Sequence, residues 1–277
     1  MRAGRLRYLL GAAFHGMAWT EWGPPDGAAV ICVHGLTRNA RDFDALAQAL
    51  AARGRRVLCP DLPGRGESDW LPDPSLYAPP VYVAALAHLL ARLDGPVDWV
   101  GTSLGGICGM MVAAAAGQPI RRLVLNDIGP HVPQAAMARI HDYLADSPRF
   151  ADLGAVEAHL RRVHAPFGRL DDRQWAHLAG HSARPAPEGG LMLHFDPAIA
   201  TPLRARPPEA LDLSALWDRV AVPVLAIRGA ESDLLLPESL AAMAARPGVR
   251  VAEVAGAGHA PALMDRAQME LVADFLG

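Results

Sequence analysis

The sequence predicts an α/β protein: a mostly parallel sheet of about eight strands, with helices on both faces and a helical segment inserted between two strands. Three observations carry this. Short continuous apolar runs alternate with helix-period stretches between Ala28 and Leu125. The alternation stops at Gly129-Pro130, and from about Pro133 to Leu213 no apolar strand occurs. The strand pattern then returns at Val222–Ile227 and Val249–Val254.

Leu6 to Trp22 reads as a hairpin. A secretory signal fits it less well, because its apolar stretch, Tyr8 to Phe14, is short and is interrupted by His15. Ala28–Val33 is apolar without alternation, as a strand buried on both faces is. In Asp42–Ala52, Phe43, Leu46, Ala47 and Leu50 share one helical face. Arg55–Cys59 is a short strand ended by Pro60, and Asp61 to Ser68 has the Pro and Gly punctuation of a turn. Val81–Leu93 has a helical period, Val97–Val100 is a strand, and Gly106–Ala116 is a helix. Ile120–Leu125 is the next strand, closed by Asn126-Asp127, and Arg266–Leu276 is a final helix. Residues 1–129 and 214–277 are therefore expected to form one core, with 130–213 as a helical insertion. That insertion is broken by Pro148, Pro166, Pro185, Pro187, Pro197, Pro207 and Pro208. Trp175, Phe167, Met137, Tyr143 and Phe195 are expected to pack it, with one or two lining a pocket.

Composition excludes several classes. The chain has 277 residues, 51% hydrophobic and 20% charged, which is ordinary for a globular protein. Net charge is −3 with no basic run, so a nucleic-acid partner is not expected. No apolar run reaches membrane-spanning length. Cys32, Cys59 and Cys108 lack a Cys-x-x-Cys spacing and lie in apolar elements. Buried free thiols in a reducing, cytoplasmic setting are expected.

The chemistry starts at Gly101-Thr102-Ser103-Leu104-Gly105, a Gly-x-Ser-x-Gly stretch between a strand and a helix. A serine on such a sharp turn is exposed as a nucleophile, and the flanking glycines relieve crowding. A serine hydroxyl needs a base, and the base needs an orienting acid. The turn resembles the nucleophile elbow of the α/β-hydrolases, a resemblance that implies an acid and then a base later in the chain. His259, in Ala255-Gly256-Ala257-Gly258-His259 behind the strand Val249–Val254, is the base. Asp233, behind the strand that begins at Val222, is the first choice of acid. Asp127 is the alternative, because it also ends a strand, and Glu231 comes next. The oxyanion hole is expected from the N–H groups of Leu104 and Leu36. His34 is expected to bond neighbouring loops, and Gly35 to allow close backbone approach. His177 and His181 are four apart, but no Glu follows His177, so no metal site is expected.

His34-Gly35-Leu36, Asp61-x-x-Gly64-x-Gly66-x-Ser68, the serine motif, Gly229-x-x-x-Asp233 with Pro237, and Gly258-His259 together resemble the α/β-hydrolases of the capped, cofactor-free kind. The resemblance spans nearly the whole chain. The Gly229-to-Asp233 spacing is one residue longer than the common Gly-x-x-Asp form. The resemblance implies an α/β-hydrolase fold, residues 130–213 as a cap, no cofactor, and a small-molecule ester substrate. Small to medium acyl esters, hydroxyalkanoate and polyester oligomers among them, are the implied class. Carbon–carbon hydrolases of ring-cleavage products and lactonases share the layout, as do receptors built on the fold. Dehalogenases and epoxide hydrolases carry Asp where this chain has Ser103. Oligomeric state is left open.

Overall fold

The structure is a computed structural model that describes residues 1–144 and 147–277. The chain starts with β1 (Arg2–Leu10) and β2 (Ala13–Trp22), followed by β3 (Ala29–Val33), α1 (Asp44–Ala52), β4 (Arg56–Pro60) and α2 (Pro79–Leu90). Then come β5 (Val97–Thr102), α3 (Leu104–Ala113) and β6 (Ile120–Asn126). After β6 the chain leaves the sheet for β7 (His131–Val132), α4 (Gln134–Tyr143), β8 (Arg149–Phe150), α5 (Leu153–Val163) and α6 (Asp172–Ser182). It continues through β9 (Ala183–Pro185), β10 (Leu191–Leu193), α7 (Ala200–Arg204), β11 (Leu211–Asp212) and α8 (Ser214–Trp217). It rejoins at β12 (Val224–Gly229) and ends with α9 (Pro237–Ala244), β13 (Val249–Val254) and α10 (Arg266–Leu276).

Eight strands form the main sheet in the order β1-β2-β4-β3-β5-β6-β12-β13. β1, β2 and β4 pair antiparallel, and every other neighbour pairs parallel. Parallel pairing aligns the carboxyl ends of β3, β5, β6, β12 and β13 along one edge, where ligands bind in open α/β sheets. Both faces are covered, and alternate residues divide between them. In β3, Val30 and Cys32 pack with Leu46 and Leu50 of α1 and Val272 and Leu276 of α10. Ile31 and Val33 pack with Leu86 and Leu89 of α2 and Met110 of α3. Each fully buried Leu contributes about 1.5–3 kcal/mol relative to exposure. Cys32, Cys59 and Cys108 are buried free thiols.

The hairpin is longer than expected and starts at Arg2. The inserted stretch is mostly helical but is not without strands. β8, β10 and β9 form a small sheet, and β11 pairs with β7. Strands of two or three residues are too short to show a period in the sequence. Val156 and Leu160 of α5 and Trp175 and Leu178 of α6 form a separate apolar cluster, which Met264 joins. A capping box of Asp171 and Gln174 starts α6. Phe195 joins the main core instead, and Met137 packs at its edge. No helix among the described residues is long and apolar enough to cross a membrane.

Asp98 sits in β5 with a fully buried side chain. It pairs with Arg55, which is itself buried, and accepts from Arg121 Nε at 2.9 Å. Arg55 Nη1 also donates to the Leu276 carbonyl at 3.0 Å, tying α10 to the sheet edge. Asp98→Ala leaves a buried guanidinium without its partner. A loss of about 3–5 kcal/mol in the urea unfolding free energy is expected. A loss under about 1 kcal/mol would contradict this account of the network.

Candidate active site

Ser103 lies between β5 and α3 with φ 52° and ψ −113°, a left-handed conformation unusual for a residue with a side chain. Hydrogen bonds hold it there. Its N–H donates to the Asn126 carbonyl at 3.0 Å, and its carbonyl accepts from Gly106 N–H at 2.8 Å. The two motif glycines are steric requirements. A Cβ on Gly101 would overlap the Gly105 carbonyl, and one on Gly105 would overlap the Val33 carbonyl. Helix α3 therefore passes directly against the ends of β5 and β3.

His259 follows β13 and reaches both neighbours needed for proton transfer. Its Nε2 accepts from Ser103 Oγ at 2.9 Å. Its Nδ1–H donates to Asp127 Oδ2 at 2.7 Å. The carboxylate that meets His259 is thus Asp127, the alternative acid, and the first choice, Asp233, is displaced. Asp127 directly follows β6 at φ 56°, a region that Asp tolerates better than most residues. That turn aims its carboxylate inward. Its side chain is fully buried. Oδ1 accepts from Gly229 N–H at 2.8 Å, and Oδ2 also accepts from Ser232 Oγ–H at 2.6 Å. Asp233 instead lines the cavity that holds Ser103 and His259, half exposed and with no hydrogen bond to His259. Arg139 of α4 holds it with bonds of 2.6 and 2.9 Å. Partial burial raises its carboxyl pKa, but the Arg139 contacts outweigh that and leave it below the ordinary value. Glu231 is exposed and does not touch His259, although its backbone N–H bonds the Ala257 carbonyl at 2.8 Å.

Leu104 opens α3, where a first-turn N–H has no helical acceptor. Leu36 lies in the loop after β3, beside Ser103 in the same cavity. Its carbonyl accepts from Arg65 Nε at 2.8 Å. His34 is fully buried and bonds its neighbours as expected. Nδ1–H donates to the Gly35 carbonyl at 2.7 Å, and Nε2 accepts from Leu62 N–H at 2.9 Å. Burial pushes its pKa down to about 3. Gly35 has more room than expected: the nearest atoms to a Cβ there would lie at 3.8–3.9 Å, ordinary contact.

A cavity of about 660 Å3 opens over Ser103 and His259. Ile140 and Tyr143 of α4, Val163 of α5, and Pro166 and Phe167 from the following turn supply its apolar roof. The roof is tied to the site at two points. Gly258 N–H donates to the Pro166 carbonyl at 2.7 Å, and Tyr143 Oη–H bonds Thr37 Oγ1. Outside the cavity, Asp44, His177 and His181 converge. Arg41 occupies that cluster: its Nε donates to Asp44 at 2.8 Å, and its Nη1 lies 3.3 Å from His181 Nδ1.

Residues 30–275 match the model of the alpha/beta hydrolase family, and the chain belongs to that family. It is 43% identical to a 3-hydroxybutyrate-oligomer hydrolase of Cupriavidus necator, over 99% of this chain and 97% of the relative. An esterase of Mycobacterium tuberculosis is 29% identical over 85% of this chain and 78% of its own length. Among solved structures, a hydrolase of Rickettsia typhi superposes with a TM-score of 0.92 at 29% identity, covering 100% of this chain and 99% of that one.

Several histidines are held neutral by the fold. Burial lowers His34 to about 3 and His181 to about 4, and lowers His164 well below the ordinary value. For each, the folded pKa is below the unfolded one near 6.5. Their contribution is fully present above pH 6.5 and is lost as pH falls toward the folded values. Asp61, raised by burial to about 6, works oppositely: its contribution is lost as pH rises from about 4 to 6. With more histidines than carboxylates shifted this way, the unfolding free energy is expected to fall between pH 7 and 4.5. His34→Gln removes up to about 1.4 kcal/mol per pH unit of that slope. Equal slopes in wild type and variant, measured by urea denaturation, would contradict a buried neutral His34.

Proposed function

We propose that the chain is a serine hydrolase that cleaves carboxylic esters through an acyl-enzyme. Ser103 attacks the ester carbonyl. His259 takes the serine proton and gives it to the leaving alcohol. Asp127 holds the imidazole with its proton on Nδ1 and stabilises its cationic form. The Leu36 and Leu104 N–H groups receive the oxyanion. Water then repeats the sequence and frees the acid. The continuous path from Ser103 Oγ through His259 to Asp127, at 2.9 and 2.7 Å, carries this reading.

Residues 130–213 act as the cap in this scheme, and their apolar side chains shape a pocket for an acyl chain. The substrate class is hydroxyalkanoate esters, with short 3-hydroxybutyrate oligomers foremost. The support is the full-length likeness to the Cupriavidus necator hydrolase. The buried free thiols suit a reducing compartment, and we place the protein in the cytoplasm.

Hydrolysis of p-nitrophenyl butyrate and of 3-hydroxybutyrate dimers and trimers tests the reading. Wild type is expected to turn over both, and Ser103→Ala to lose at least about 10⁴-fold in kcat. A fluorophosphonate should label Ser103 by mass spectrometry. Retained activity in the variant, or labelling at another residue, would overturn the mechanism.

A further inference from the structure

We propose that Arg65 is a positioning residue for the oxyanion hole, acting through Leu36; this rests on the proposed acyl-enzyme mechanism. Arg65 lies in the Asp61-to-Ser68 loop, and its residue is 0% exposed. Among the described residues no carboxylate lies within 4.0 Å of its guanidinium. A guanidinium keeps its charge in proteins, so this is a buried positive charge without an ion-pair partner, a costly arrangement.

Asp61, in the same loop, makes no ion pair with it among the described residues. Both Asp61 oxygens accept from backbone amides, Ala40 N–H at 2.7 Å and Glu67 N–H at 3.0 Å. The Arg65 charge rests on aromatic rings instead: its guanidinium carbon is 4.7 Å from the Tyr82 ring centroid and 5.7 Å from that of Tyr77. Such contacts suit a desolvated guanidinium. Its Nη2 is buried with no hydrogen-bond partner.

The bonds it does make point at the site. Nε donates to the Leu36 carbonyl at 2.8 Å, and Nη1 to the Pro63 carbonyl at 2.7 Å. The Leu36 carbonyl and N–H flank one Cα. Fixing the carbonyl therefore restricts the rotation that would misaim the N–H. The uncompensated charge also sits behind the loop that faces the developing oxyanion. A fixed charge of that sign favours the tetrahedral intermediate over the neutral ester. A loop brace alone does not need a charge. A buried charge is in general weak evidence of a stabilising role. Arg65 is therefore expected to serve turnover more than stability.

The test compares Arg65→Met, Arg65→Gln and Arg65→Lys on a neutral p-nitrophenyl ester. It also measures inhibition by an alkyl boronic acid, which forms a tetrahedral adduct with the serine, and the urea midpoint of each variant. Wild-type turnover and serine labelling decide the acyl-enzyme reading separately, before any Arg65 variant is judged. For Arg65→Met we expect kcat to fall about 10- to 100-fold, KM to stay within about threefold, and boronate affinity to fall in parallel with kcat. The urea midpoint should fall only modestly, leaving the variant folded under assay conditions. Arg65→Lys, which keeps the charge, should recover part of the loss. Arg65→Gln, which keeps a donor but no charge, should recover less. A folded Arg65→Met with kcat within about twofold of wild type would overturn the proposal. So would a kcat loss with unchanged boronate affinity. If Arg65→Met does not fold, Arg65→Gln is judged by the same criteria.

Discussion

The site depends on one hydrogen bond, from His259 Nδ1–H to the buried Asp127 carboxylate at 2.7 Å. Asp127 is where three parts of the sheet edge meet. It directly follows β6, accepts from the last backbone amide of β12 at Gly229, and holds the imidazole delivered by the loop after β13. A buried carboxylate without such partners would be costly. Here both oxygens are satisfied, by a backbone N–H, a hydroxyl and a ring N–H. Ser103 completes the edge because β5 pairs with β6 in register, Thr102 opposite Asn126. The chemistry is thus a property of the parallel sheet, whose aligned carboxyl ends bring distant residues together.

Much of this was legible in the sequence, and the reasons differ by residue. The serine turn is local: glycines at Gly101 and Gly105 are needed where backbone meets backbone, so the motif carries its own geometry. His259 was legible because it follows a strand in a Gly-rich loop. The acid was not settled, since two carboxylates end or follow neighbouring strands. The choice turns on backbone rotation at Asp127, at φ 56°, and on Arg139 drawing Asp233 away. The long Gly229-to-Asp233 spacing was the one signal that could have lowered Asp233. In that loop Ser232, not Asp233, turns inward to the buried carboxylate. Arg65 could not be found from sequence, because a charged residue in a Gly-rich loop is ordinarily solvated.

The inserted stretch was legible as helical because its breakers and polar residues interrupt the strand pattern. Its small strands were not, and neither were its anchors. The Pro166 carbonyl holds Gly258, the residue before His259, and Tyr143 bonds Thr37, the residue after Leu36. The roof of the cavity thereby touches both the loop that carries His259 and the loop that carries Leu36.

The assignment of the acid is the claim on which the rest converges, and a comparison of two variants tests it directly. With a p-nitrophenyl ester at neutral pH, Asp127→Asn is expected to lower kcat by about 10⁴-fold, because the wrong tautomer of His259 is then favoured. Asp233→Asn is expected to stay within about threefold of wild type. A large loss in Asp233→Asn with near-normal turnover in Asp127→Asn would contradict the account.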